Sequence, residues 1–286
     1  MFKTILVQLT GQPSDNSALE TAYLVARLFD AHIDGLHVSP AWSQIAMSVA
    51  AQNLDGAMSA QDIFAAYEQE GKNLAWRAKR HFEEFRRRWN VAAAETPPGP
   101  HGVSAAWREV KGDVAEKNLA EARFYDLVVV GRGSEIVDLS AEIMNAGRPI
   151  LLAPKQAPEN LAPTIAIAWK DTAEAARAVT AAMPLLMKAD KVLILAAEES
   201  GGSTASLESA KRLVQQMRWH GISAEAHHVS PAGRSVADAI AHIAQERKAD
   251  LLVMGAYGHS RFRELVLGGV TRDVLRECRL PVLLFH

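Results

Sequence analysis

Cysteine is almost missing from this chain: Cys278 stands alone in 286 residues. That excludes an intrachain disulfide and fits a reducing compartment. No uninterrupted apolar run approaches the roughly 18 residues of a membrane span. Charge of one sign is missing too. The formal net charge is -2, which offers no general attraction to nucleic acid or to an acidic membrane. There is no Gly-x-Ser-x-Gly elbow, no Walker lysine and no pair of carboxylates in an evident cleft. Serine-hydrolase and P-loop chemistry are therefore not expected. His227-His228 falls in a strand, where neighbouring side chains point to opposite faces and cannot share a metal, so no metal cluster is expected. Met1-Phe2-Lys3 runs straight into an apolar segment without a cleavable leader, and the expectation is a cytoplasmic, soluble protein.

What is present is an ordinary globular composition, 49% apolar and 22% charged, in a length that suits two domains. The chain also repeats itself. Thr4-Ile5-Leu6-Val7 matches Thr164-Ile165-Ala166-Ile167, and His101-Gly102-Val103-Ser104-Ala105 matches His220-Gly221-Ile222-Ser223-Ala224. Asp126-Leu127-Val128-Val129-Val130-Gly131 matches Asp250-Leu251-Leu252-Val253-Met254-Gly255, and Pro149-Ile150-Leu151-Leu152 matches Pro281-Val282-Leu283-Leu284. A repeat of this length decides the architecture. Residues 1–154 form a first domain, 155–163 a proline-rich linker and 164–286 a second domain.

Each half reads as five strands alternating with helices. The spacing predicts strands near 3–9, 32–38, 103–110, 126–130 and 149–153, then near 164–169, 191–197, 222–229, 250–255 and 281–285. Continuous Val/Ile/Leu runs are what strands covered on both faces require. Strand–helix alternation implies α/β domains with parallel sheets and right-handed crossovers. Ala173 to Met187 has helical spacing, with Pro184 expected to bend or shorten it. The first half carries an insertion within residues 39–100. Its Ala41–Ala60 piece reads as a flap over a pocket or as packing against the other half. Tyr67, Gly71, Leu74, Ala78, Phe82, Phe85 and Trp89 then mark an amphipathic helix over 61–90 with a charged, solvated outer face.

The last stretch carries the chemistry. A buried strand at 250–254 gives way to Gly255, Gly258, Gly268 and Gly269, then to a helix and a closing strand. Glycines let backbone approach an anion, and the unpaired N–H groups of a helix's first turn point at it. In an open α/β sheet the ligand crevice lies past the strand ends where strand order reverses, between the first and fourth strands. Gly255 and Gly258 would shape the loop, and the N–H groups of Gly269, Val270 and Thr271 would hold phosphate. Lys170 and His259 could reach the same anion; the alternative is that each is a solvated surface residue, Lys170 beside Asp171 and His259 in the loop.

Gly255-Ala-Tyr-Gly258, nine residues, Gly268-Gly269-Val270-Thr271 and then Pro281-Val282-Leu283-Leu284 resemble the universal stress protein family in its tandem two-domain form. The resemblance covers nearly the whole chain outside 39–100. It implies two Rossmann-like (adenine nucleotide alpha hydrolase-like) domains, each a five-stranded parallel sheet of order 3-2-1-4-5 with helices on both faces. It also implies paired domains, ATP or AMP as ligand in some members, and a stress-response role. Departures are visible. Gly269 replaces the family's phosphate-binding Ser or Thr, and Thr10 and Lys170 stand where nucleotide binders place an acidic residue. Gly131-Arg132-Gly133-Ser134 lacks the spacing, so the first domain is expected not to bind nucleotide by this route.

The fifth strands, after Pro149 and Pro281, would be sheet edges with open hydrogen-bonding groups. Antiparallel pairing of 149–153 with 281–285 would satisfy both and join the halves; association into a homodimer is left open. Three functions compete. The leading one is a non-enzymatic protein binding an adenine nucleotide or similar anion in its second domain. An interaction or regulatory module with a decayed pocket is the alternative, and a weak ATPase, for which no general base is evident, comes last.

Overall fold

The computed structural model describes residues 1–40, 59–97, 99, 101–133, 143–197, 205–231, 233–256 and 269–286. The first half contains β1 (Thr4–Gln8), α1 (Ser14–Phe29), β2 (His32–Ser39), α2 (Ala60–Arg88), β3 (Ala92–Ala93), β4 (Ser104–Lys111), α3 (Val114–Ala122), β5 (Leu127–Val130) and β6 (Ile150–Leu152). The second contains β7 (Thr164–Trp169), α4 (Ala173–Leu186), β8 (Lys191–Ala197), α5 (Ala205–Trp219), β9 (Ala224–Val229), α6 (Val236–Glu246), β10 (Leu251–Gly255), α7 (Gly269–Glu277) and β11 (Val282–Phe285).

The strands form one sheet of order β3-β4-β2-β1-β5-β6-β11-β10-β7-β8-β9. Within each half this contains the expected order 3-2-1-4-5. Two features differ from five separate strands per domain. The two-residue β3 adds a sixth strand at the outer edge of the first half, and the two sheets are continuous. The seam is the antiparallel β6–β11 pair, with Ile150 opposite Leu284, Leu151 opposite Leu283 and Leu152 opposite Val282. Elsewhere neighbours run parallel, Val7 beside Val129 and Ile167 beside Val253, for example.

Alternation of side chains across the pleat divides the apolar runs between two cores. Ile5, Val7, Val129, Leu151, Ile165, Ile167, Val253 and Leu283 face one layer of helices. Leu6, Val128, Val130, Leu152, Ala166, Leu252, Val282 and Leu284 face the other. Each core passes through both halves, so the seam is buried as thoroughly as the interior of either half. Three helices start where a side chain accepts a first-turn N–H group: Ser59 from Asp62, Asp113 from Glu116 and Ser235 from Asp238. Helix α4 includes Pro184 and continues only to Leu186, so the proline falls in its last turn and costs little length.

The insertion helix α2 buries Gly71, Ala78, Phe82 and Phe85. Phe82 meets Trp107 at 5.7 Å between ring centroids, and Phe85 meets Tyr23 edge-on at 6.0 Å. The expected flap or packing segment 41–58 lies outside the described residues.

A polar chain crosses the other face. Tyr125 donates to Asp34 Oδ2 at 2.6 Å and Arg108 donates to both Tyr125 Oη and Glu121. Burial alone would raise the Asp34 carboxyl. Hydrogen bonds from His32 and Tyr125, with the charges of His32 and Arg108, outweigh it and hold the group below its ordinary 3.8. Burial, then the Asp34 carboxylate, push the Tyr125 phenol above its usual range. A depressed folded value means the Asp34 contribution is present above 3.8 and is lost as pH falls through the lower value. Urea midpoints measured down through that window should therefore fall more steeply for the wild type than for Asp34→Asn. Parallel curves would remove Asp34 as a source of acid sensitivity.

Candidate functional site

The C-terminal ends of β7 and β10 lie side by side, with Ala168 registered against Met254. Lys170 follows the first and Gly255 closes the second, so two of the sequence-predicted residues are brought together. Lys170 is exposed. Thr172, two residues on, accepts from Ala175 N at 3.4 Å and starts α4. Trp169 donates its indole N–H to Ser209 at 3.0 Å, which fixes the strand end rather than leaving the ring in an open wall.

Gly255 has a tighter reason to be glycine than loop shaping. A Cβ there would lie 2.5 Å from Ala175 N and 2.6 Å from Glu174 C. The first turn of α4 rests on the strand end with no room for a side chain. Gly131 plays the matching part in the first half, where a Cβ would lie 2.9 Å from the Ser14 backbone oxygen at the start of α1. The chain leaving β10 is held by β11: Ala256 N donates to Phe285 O at 2.9 Å, and His286 Nδ1 lies 3.0 Å from Ala256 O.

Gly258, His259 and Gly268 lie outside the described residues. Gly269 and Val270 open α7, and Thr271 is buried at 5% exposure. Because α7 belongs to the right-handed crossover from β10 to β11, its N-terminus is at the same sheet end as Gly255 and Lys170. Four N–H groups of a first turn have no partner within their own helix, and they carry the positive end of its dipole. The arrangement is suited to holding an anion. Among the described residues no group of three or more His, Cys, Asp or Glu is placed to hold a metal ion. Cys278 is buried, and burial pushes its thiol up, away from reactivity.

The corresponding place in the first half is differently furnished. The Asp15 carboxylate, 1% exposed, accepts from Thr10 N at 3.0 Å, Thr10 Oγ1 at 3.0 Å and Gly11 N at 2.8 Å. His81 of α2 approaches the same carboxylate at 3.3 Å. Arg77 Nε donates to Gly11 O at 3.1 Å. Gly11 has φ +78°, and a Cβ there would stand 2.4 Å from Leu74 O. Helix α2 therefore lies directly on the loop that would form one wall of this crevice. Sequence reasoning missed Asp15 and His81. The available signals were an aspartate in the first turn of α1 and a histidine set among Ala78, Phe82 and Phe85 on the buried stripe of α2.

Fold and site together define a tandem α/β protein in which a helix N-terminus stands at the strand ends of the second half. The model of the universal stress protein family matches residues 1–135 and 163–286, and the chain belongs to that family. Universal stress protein Slr1230 of Synechocystis is 49% identical over 49 residues, a stretch that spans 17% of this chain and 17% of that protein. A universal stress protein from Archaeoglobus fulgidus superposes with a TM-score of 0.68 at 15% identity, covering 99% of this chain and 95% of the other. A putative universal stress protein from Pseudomonas aeruginosa gives 0.56 at 16% identity, covering 99% and 93%. Identities this low establish the shared fold. No described helix is long and apolar enough to cross a membrane.

Proposed function

We propose that the second half binds an adenine nucleotide, ATP or AMP, or a similar phosphate-bearing anion, and that the protein serves a stress response in the cytoplasm without being an enzyme. The observation that supports this is the convergence of the α7 N-terminus, Gly255 and Lys170 at the strand ends where sheet order reverses. The Gly-x2-Gly-x9-Gly spacing between β10 and α7 adds to it. Phosphate held by first-turn N–H groups gains about 1.5–3 kcal/mol per charge-assisted hydrogen bond, which is enough to seat a nucleotide without a Walker lysine.

Two observations favour a second reading, an interaction module whose pocket has decayed. Gly255 is accounted for by helix packing alone, and Gly269 brings no hydroxyl. ATP titration of natively purified protein separates the two. Binding by the wild type should weaken roughly tenfold or more in Gly268→Val, a loss of about 1.4 kcal/mol. No binding by the wild type, or equal binding by both, dismisses the nucleotide site.

A further inference from the structure

The arginine that follows β5 reaches into the other half. Arg132 Nη1 donates to the carbonyl of Leu275, on the last turn of α7 in the second half. That carbonyl is among the final four of the helix, which have no intrahelical acceptor role to fill. A guanidinium there also meets the negative end of the helix dipole. Its Nε and Nη2 are buried with no hydrogen-bond partner among the described residues. Burial works against its charge. A half-buried cation with one hydrogen bond among the described residues is costly to place there.

Helix α7 runs only from Gly269 to Glu277, about 13 Å at 1.5 Å per residue. A contact that fixes its last turn also fixes the tilt and rotation of its first. We propose that Arg132 is a positioning residue: the remnant glycine turn of the first half sets the pose of α7 and thereby tunes anion binding at the N-terminus of that helix. The coupling runs one way. The repeat places Ala256 where the second half would need its own Arg132, and a methyl group cannot reciprocate. This inference rests on the anion site proposed above.

The test uses the full chain with ATP as probe, comparing wild type, Arg132→Ala and Arg132→Lys. Hydrogen exchange across 269–278 should quicken in Arg132→Ala, and ATP should bind about three- to tenfold more weakly. Arg132→Lys, which keeps a cation at the helix end, should recover most of both. A general loss of packing would not be rescued by lysine or be confined to α7. ATP binding by the wild type that is unchanged in Arg132→Ala overturns the coupling and leaves the nucleotide site standing. Absence of binding by the wild type overturns both. Unchanged exchange in α7 overturns the positioning role whatever the affinities.

Discussion

Asp15→Ala should lower stability by about 3 to 4 kcal/mol and loosen α2 from the loop after β1. Its carboxylate is 1% exposed and gathers Thr10 N, Thr10 Oγ1, Gly11 N and His81. Alanine strands all four. Thr10 is exposed and its groups can turn to water, so they add little. The Gly11 N–H and the His81 ring are buried, and each buried polar group left unpaired costs about 1–3 kcal/mol. Two such losses near the middle of that range give the figure. Urea unfolding read beside hydrogen exchange in α2 measures it. Asp15→Asn, which keeps one carbonyl oxygen, should fall between. A loss of less than about 1 kcal/mol would mean that the aromatic contacts of Phe82 and Phe85 hold α2 without the clasp.

Gly255→Ala, a gain of one methyl group, should cost about 2–3 kcal/mol. The methyl would sit 2.5 Å from Ala175 N and 2.6 Å from Glu174 C, both backbone atoms of the α4 start. Flexible side chains can swing aside; here a helix must move off the sheet. The strand cannot move instead, because β10 is held between β7 and β11. Overpacking into a rigid site falls at the upper end of its usual range. The same variant separates two reasons for the glycine. If Gly255 matters chiefly as a cradle wall, Gly255→Ala would keep wild-type stability and lose ATP affinity. Stability lost with affinity retained would leave the packing role alone.

The strands were legible because a parallel sheet covered on both faces demands unbroken apolar runs. The runs at Leu127–Val130 and Leu251–Met254 have no other comfortable fate. The seam was legible for a related reason: Pro149 and Pro281 mark edge strands whose apolar runs needed a partner. The Asp15–His81 contact was not legible, since it joins positions 66 apart through an insertion whose docking no local pattern specifies. The reason for Gly255 was hidden as well. A glycine that makes room for a neighbouring helix and one that makes room for phosphate look identical in sequence, and only the distance to Ala175 tells them apart. Arg132 read as part of a loop with the wrong spacing, because its partner carbonyl is 143 residues away.

Two identical single units meeting edge to edge would be encoded once, so any change that closed one crevice would close both. Carrying both copies in one chain, joined covalently through 155–163, removes that obligation. The first copy has been free to lay its inserted helix across Gly11, and the second carries no such insertion. If only the second crevice takes an anion, as proposed above, the stoichiometry is one molecule per chain, where a symmetric pair would take two.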